Sequence, residues 1–438
     1  MALGGGTFVT HNKVLPGSYI NFVSAAKASA VLSERGIAAI PLEMDWGAEN
    51  QIFEVEAGDF RDYTRRLFGY LYTDDAMLPM RELFRHARKV LFFRLNKGGV
   101  AAANAFATAR HPGTRGNTLT IKIETNENST ETAPLYNVTT YMGTVKADIQ
   151  NAISSAEELE DNDYVIWTDS ATLALTAGTP LTGGTNGTVT NDAYQAFLEQ
   201  AESRSFHALG CPSKDDTIKE LFVAFTKRMR EEVGKKFQLV VPNCLADYEG
   251  VVSVKNGISG TKDTAVLVPW VTGVIAGTAV NVSATNMQYD GEHDIDTGYT
   301  QEQLEKALRE GSFIFHSVDG ETHVLRDINT YITTTDEKTS DFSQNQTIRV
   351  LDQIANDIAV LFANKYIGKV PNDAAGRVSL WNDIVTHHKA LQDIRAIEDF
   401  VGDNVTVDKG ETKRSVIVTD QITPVNCMEQ LYMTVYVA

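Results

Sequence analysis

Two adjacent imidazoles, His387 and His388, form the one neighbouring histidine pair in this 438-residue chain. Metal binding is the first chemistry to test. Consecutive residues on a helix diverge by about 100°, so the pair does not converge on one ion and reads as part of a solvated helix face. The H-E-x-x-H spacing that puts two imidazoles on one face is absent. Gly234-Lys235 and Gly368-Lys369 supply a lysine after a glycine. Neither has the upstream glycine that lets backbone N–H groups cradle a phosphate. Gly183-Gly184-Thr185-Asn186-Gly187 is glycine-rich but lacks the G-x-G-x-x-G spacing, and it reads as a linker turn. No G-x-S-x-G elbow exposes a serine. Cys211, Cys244 and Cys427 are odd in number and contain no C-x-x-C pair, so they read as reduced, partly buried thiols rather than a disulfide framework or zinc site. The expectation is no catalytic residue, no cofactor and no metal. An enzyme with dispersed catalytic residues stays open as an alternative.

The formal charge of −18 disfavours direct contact with nucleic acid phosphates or anionic lipid. Hydrophobic residues make up 43% of the chain and charged residues 22%. That balance is typical of a globular protein, and the length predicts two to four domains. No basic stretch followed by an apolar one stands near Met1, so no secretory signal peptide is expected. The most apolar run, residues 265–282, is broken by Pro269, Gly273, Gly277 and Asn281. A membrane span needs about 20 consecutive apolar residues, and this run falls short of that. A buried helix is the better reading, with Gly273, Ala276 and Gly277 allowing close backbone approach.

These residues must be positioned by a mixed set of elements. Residues 53–56 and 90–95 read as strands, 60–68 as a helix capped by Asp59, and 80–88 as another helix. Beyond Lys97-Gly98-Gly99 the composition shifts to Thr, Asn and Ala. Residues 119–123, 136–141, 164–168 and 171–175 alternate as short strands of a β-sandwich or barrel-like module, with a helix over 145–159. Next come a helix capped by Asn191 and running through Glu202, a strand over 205–209, a long helix over 215–234 and an apolar strand over 237–241. The long helix carries Ile218, Leu221, Phe222, Phe225 and Met229 on one stripe. This β-α-β alternation implies a partly parallel sheet covered by helices. Thr300 and Gln303 form a capping box, and residues 312–316 and 322–326 a hairpin across Asp319-Gly320. Helices over 349–367 and 378–400, and a strand over 415–418, complete an α+β remainder.

Both ends of the sequence look like arms. In residues 428–438, Leu431, Met433, Val435 and Val437 alternate with Tyr432, Thr434 and Tyr436, the pattern of a half-buried strand. Such a strand must pair, within its own fold or with another chain. The first residues, with Gly4, Gly5, Gly6, Thr7, Phe8 and Val9, have no helical period. Two such ends suggest a protein linked to copies of itself.

Six stretches carry a likeness in order along the chain: Gly4-Gly-Gly-Thr-Phe8 leading to Leu15-Pro-Gly-Ser-Tyr-Ile20; Leu181-Thr-Gly-Gly-Thr-Asn-Gly187; Pro269-Trp-Val-Thr-Gly-Val-Ile-Ala276 with Tyr289-Asp-Gly291; Gly311-Ser-Phe-Ile-Phe315 with Val324-Leu-Arg-Asp-Ile-Asn-Thr330; Lys365-Tyr-Ile-Gly-Lys-Val-Pro-Asn-Asp373 with Gly376-Arg377; and Ile422-Thr-Pro-Val-Asn-Cys-Met428. Together they resemble contractile tail sheath proteins of myovirus-type bacteriophages and of R-type, phage-tail-like bacteriocins, closest to those of particles that attack Gram-positive bacteria.

That resemblance implies an α/β and α+β multidomain fold: an N-terminal linking arm (1–20), a trunk region (21–99), a β-sandwich insertion (100–182), a central subtilisin-like α/β domain without catalytic residues (183–331), an α+β C-terminal domain (332–426) and a C-terminal linking strand (427–438). It implies many copies stacked in rings or a helix around a tail tube, with baseplate and tail terminator or collar proteins as further partners, and neither nucleic acid nor membrane insertion. The expected place is a virion or tail-like particle assembled in the host bacterial cytoplasm. A tube or capsid subunit is the remaining structural alternative, against which the length and long helices argue.

Overall fold

The structure is a computed structural model, and it describes residues 32–437. Two compact units emerge. The first comprises residues 34–355 with 424–438; the second is built on 356–423, to which Ser33 also belongs.

The first unit is organised by strands whose side chains are buried on both faces. β1 (Ile37–Leu42), β3 (Lys89–Arg94), β10 (Ala208–Gly210), β11 (Gln238–Pro242), β12 (Val251–Val254) and β13 (Ser312–Phe313) are parallel. β2 (Ile52–Glu56) adds an antiparallel edge, giving the order β13-β12-β11-β10-β1-β3-β2. Alternation along each strand serves two cores. Ala38, Ile40, Val90, Phe92, Val240 and Val252 face one; Ala39, Leu91, Phe93, Leu239, Val241 and Val251 face the other. Apolar runs of this kind are what a sheet covered on both sides requires. The first core is roofed by α1 (Ala57–Phe68), α2 (Leu78–Phe84) and α5 (Val268–Gly277) through Phe60, Leu83 and Trp270. The second is roofed by α3 (Asn191–Glu202) and α4 (Asp216–Arg228) through Phe197, Phe222 and Phe225. α5 is the buried helix expected from the most apolar run. A Cβ on Gly273 would stand 2.5 Å from the Leu83 carbonyl oxygen, so the close approach of α2 needs the glycine. α6 (Gln301–Arg309) starts on the expected capping box of Thr300 and Gln303. β14 (Phe315–Val318) and β15 (Glu321–Val324) form the expected hairpin across Asp319-Gly320.

Between β3 and α3 the chain leaves the sheet and returns. It builds an antiparallel sheet in the order β7-β6-β5-β9 from β5 (Leu119–Thr125), β6 (Tyr136–Met142), β7 (Val145–Ile153) and β9 (Thr176–Pro180). Over it lies the pair β4 (Ala107–Ala109) and β8 (Val165–Trp167). Leu119, Ile121, Ile123, Val138 and Trp167 fill the core between them. The two ends of this insertion cross as a neck, with antiparallel bridges Lys97 to Thr188, Val100 to Thr185 and Ala103 to Thr182. Below the neck, buried Arg94 donates to the carbonyls of Gly47 (2.8 Å) and Pro112 (2.7 Å).

Several expectations need correction. Residues 145–159 are not a helix: β7 and a short 3-10 turn occupy them. Val145, Ile149 and Ile153 mimic a helical stripe, but Gly143 at φ 61° closes a two-residue hairpin that pairs Met142 with Val145. Residues 171–175 form no strand, and pairing starts at Thr176. Asp59 does not cap α1, which begins at Ala57, and Asn191 is the first residue of α3 and not its cap. The helix expected over 378–400 is α8 (Ala374–Asp393), started by the Asp373 side chain accepting the Gly376 N–H at 2.8 Å.

In the second unit, α8 packs on β17 (Val405–Lys409), which pairs with β18 (Val416–Asp420). A short strand, β16 (Ile397–Glu398), precedes them. Leu380, Ile384, Leu391 and Val405 are buried, and the Trp381 indole N–H donates to the Gly402 and Val405 carbonyls. His387 and His388 are 1% and 0% exposed. The solvated face expected for them is wrong, because each imidazole meets a carboxylate brought from elsewhere in the sequence. α7 (Asn345–Leu361) runs across the division between the units.

Candidate assembly surface

The expected C-terminal strand occupies residues that the structure leaves outside every helix and strand. Leu431, Tyr432, Met433, Val435, Tyr436 and Val437 are 69–92% exposed. Thr434, between them, is also exposed. Isolated apolar side chains on a surface are ordinary, whereas six large ones in a single run of seven residues are not. The expected N-terminal contacts, Gly4, Gly5, Gly6, Thr7, Phe8 and Val9, lie outside the described residues.

What precedes the exposed run is firmly held. At the start of α7, Gln346 Oε1 accepts the Cys427 N–H at 3.0 Å, and the Thr347 hydroxyl donates to Asn426 Oδ1 at 3.2 Å. Glu429 then spans two donors. Arg326 Nε lies 2.6 Å from its Oε2, and the Thr285 hydroxyl 2.7 Å from its Oε1. The Thr285 oxygen also accepts the Asp327 N–H at 3.0 Å.

Asp327 is buried. Its carboxylate accepts from Arg349 Nη2 (2.5 Å), Asn345 Nδ2 (2.9 Å) and the Ala284 N–H (2.9 Å). One turn further along α7 from Arg349, Asp352 takes a bidentate pair of bonds from Arg230 at 2.6 and 2.8 Å. Removing one partner of such a buried pair strands the other charge, so these contacts fix α7 to the helical turn after α4 and to the segment after β15. The arm's root is thus joined by hydrogen bonds to the most deeply buried ion pair of the unit. Glu429 was missed in the sequence, where the signal was present: it is the one charged residue in 421–438.

A second surface lies at the carboxyl ends of β1 and β3, where doubly wound sheets place ligands. The cleft there, about 680 Å³, is lined by Glu43, Asp45, Tyr70 and Asn96 and by Asn186–Val189 of the neck. Tyr70 donates to Asp45, and its phenol pKa is raised by burial and by that carboxylate. Among the described residues, no three His, Cys, Asp or Glu side chains group as a metal site, and no helix is long and apolar enough to cross a membrane.

Family models tile residues 35–438 with one short gap. The N-terminal region of domain III of the tail sheath protein Gp18 matches residues 35–95 and the phage tail sheath β-sandwich domain 96–186. The central domain matches 187–330 and the C-terminal domain 337–438. The chain belongs to the phage tail sheath family. This sheath protein is 33% identical over 472 residues to the phage-like element PBSX protein XkdK of Bacillus subtilis (strain 168), covering 99% of this chain and all of that relative. The sheath tail protein of Desulfitobacterium hafniense superposes with a TM-score of 0.81 at 37% identity, covering 95% of this chain and 99% of that one. The contracted helical sheath of the anti-feeding prophage shares the fold over 97% of this chain and 99% of its own, with a TM-score of 0.57 at 13% identity. The protein is therefore a structural sheath subunit of a virion or tail-like particle, and not an enzyme.

Proposed function

We propose that many copies of this sheath protein polymerise around a tail tube in a metastable extended state, and that contraction of the lattice drives the tube through the envelope of the target cell. The free energy is stored at assembly, so no nucleotide is consumed. The observation that carries this reading is the exposed apolar run 431–437 standing on a rigid root. Its free N–H and C=O groups suit strand addition to a sheet edge of a second copy. The β17–β18 hairpin, a two-stranded sheet among the described residues with exposed Ile417 and Val418, offers such an edge.

Each added hydrogen bond contributes only ~0.5–1.5 kcal/mol net. Several per arm, repeated through a head-to-tail lattice, make the mesh cooperative. In this reading the domains keep the boundaries given above. The N-terminal arm, through Gly4 to Val9, forms the second link, and the central domain is subtilisin-like in topology alone. The tube, the baseplate and the terminator or collar are the partners, and assembly takes place in the bacterial cytoplasm.

Deleting residues 428–438 tests the idea. The truncated chain is expected to stay folded and monomeric under conditions where the full chain gives tubular polymers by electron microscopy. Sheaths of normal length from the truncated chain would overturn it.

A further inference from the structure

The stretch from Lys365 to Arg377 carries part of the family likeness, and neither arm accounts for it. α7 gives way to a π turn, Phe362–Tyr366, which stacks the Phe362 and Tyr366 rings with centroids 5.9 Å apart and planes 11° from parallel. Turns of this kind at helices recur at functional sites. α8 holds it in place: Asp383 accepts from Lys365 Nζ at 2.6 Å and from the Tyr366 hydroxyl. The chain then turns at Gly368, φ 70°, and a Cβ on Gly376 would stand 2.1 Å from the Pro371 carbonyl oxygen. Asn372 ties this loop to the turn of the β17–β18 hairpin. Its Nδ2 donates to the carbonyls of Ser415 at 2.8 Å and Lys413 at 3.2 Å.

These contacts shape a groove of about 420 Å³ within the second unit. Phe362, Tyr366, Val370, Leu380 and Val416 give it an apolar lining, together with Ile367, which is 59% exposed. Arg377, Lys413 and Arg414 line it too, and none of them has an ion-pair partner among the described residues. Asn372 aims Arg377, whose Nη1 donates to the Asn372 Oδ1 at 3.1 Å and to its carbonyl at 3.3 Å. The nearby carboxylates do not answer these cations. Asp373 accepts the Gly376 N–H at the start of α8, and Glu411, in the hairpin turn, pairs with neither Lys413 nor Arg414. In a chain with 57 acidic residues against 39 Lys and Arg, three unmatched cations over one apolar groove are out of keeping with the rest. An apolar recess with a few convergent polar groups is the usual form of a binding site.

Neither end of this chain supplies the missing charge. Residues 1–31 contain no Asp or Glu. In 421–438 the one acid, Glu429, is taken by Arg326 and Thr285. The acidic run 157–163 keeps its Leu159 buried in its own sandwich, so it has no apolar side chain to insert.

We infer that this groove docks a segment of a different polypeptide, one in which an apolar side chain is flanked by carboxylates. The apolar side chain enters the lining of Phe362, Tyr366 and Val416. The carboxylates meet Arg377, Lys413 and Arg414, and the free edge of a guanidinium suits bidentate pairing. Exposed ion pairs contribute little singly, so burial supplies most of the affinity and the charges select the partner. The inference goes beyond the polymerisation reading and stands whether or not the arm links copies.

The test is selection from a random peptide library on the full chain, kept dilute enough to be monomeric. Counter-selection uses the double variant Lys413→Glu with Arg414→Glu. Both side chains are exposed, so circular dichroism is expected to match wild type. Wild type is expected to enrich peptides that place Asp or Glu beside a leucine or an aromatic residue. By fluorescence anisotropy, the strongest of these is expected to bind the double variant ~tenfold more weakly and Ile367→Ser ~3-fold more weakly, and to weaken as salt rises. An end-capped peptide of residues 430–437 is expected not to bind. Three outcomes would overturn the inference: no enrichment over the double variant, enrichment of apolar peptides without acids, or equal binding by the 430–437 peptide, which would put a second copy in the groove. Should the double variant not fold, the salt dependence and Ile367→Ser decide, and binding indifferent to both would overturn it.

Discussion

The neck of the β-sandwich and the C-terminal arm both carry chain out of the same sheet-bearing unit, and they are opposite constructions. In the neck the two strands are so close that a Cβ on Gly187 would lie 2.0 Å from the Lys97 carbonyl oxygen. Three bridges and the Arg94 side chain below hold it. The arm is held at Asn426, Cys427 and Glu429, and beyond them its apolar side chains are exposed. Glycine therefore means closure in the neck, where the missing side chain admits another backbone. The lack of glycine in 428–437 leaves a run of large side chains suited to an external surface.

The largest expected effect breaks the comparison from the arm's side. Val435→Asp or Leu431→Asp puts a carboxylate on the face assigned to docking. Burying it unpaired costs several kcal/mol, more than the arm's hydrogen bonds return. Assembly is expected to stop while circular dichroism and sedimentation still report a folded monomer. Assembly at wild-type levels from either variant would refute the assigned face.

Gly187→Ala attacks the neck instead. The clash is with backbone, which cannot rotate away, so a loss of roughly 3 kcal/mol is expected in the docking of the insertion. Limited proteolysis should then cut within 97–103 or 182–188, where wild type resists. The arm's fold is left untouched, so any polymer that forms would carry a loosened sandwich.

Reading the sequence recovered what depends on short-range pattern. The strands over 90–95 and 237–241, the capping box at Thr300 and the hairpin at Asp319-Gly320 need only neighbours to be recognised. The central sheet was visible as alternating elements, but its order was not. Nothing local says that β1 pairs with β10, because the whole β-sandwich and α3 intervene between them in the chain. The helix expected over 145–159 failed because a four-residue spacing of apolar side chains also suits an edge strand with register shifts. His387 and His388 were misjudged for a related reason: burial of a polar residue depends on partners such as Asp357 and Asp420 that are far away in sequence. At the arm, the alternating run was plain from sequence, while Glu429 was passed over because Arg326 and Thr285, its partners, lie 103 and 144 residues away.

A smaller effect sharpens the neck. His111 meets Trp46 edge-on at 5.1 Å, and burial, with Arg94 and Arg110 adding to it, lowers its pKa to about 4. An unfolded histidine takes its proton below ~6.5, whereas this one stays neutral. The stability it contributes is thus complete above about pH 6.5 and is lost as pH falls towards 4. The expected loss is ~1–3 kcal/mol, followed by Trp46 fluorescence, and absent in His111→Gln. A loss of the same size in that variant would assign the acid sensitivity to other groups.

The smallest effect asks what aims the arm. Glu429→Gln keeps an acceptor for Thr285 and removes the charge that meets Arg326. The pair is partly exposed, so its contribution is ~0.5–1 kcal/mol, weaker at high salt. Assembly is then expected to weaken by ~2–5-fold, with the largest change at low ionic strength. Hydrogen exchange at the Cys427 amide should stay slow, because its bond to Gln346 does not involve the charge. If exchange there accelerates as well, Glu429 and Cys427 act as one clamp, and the rigid part of the arm extends to residue 429. If exchange is unchanged while assembly weakens, Glu429 only steers the segment beyond it. The contrast with the neck then narrows to the residues after 429, where the chain is expected to become ordered only against a second copy.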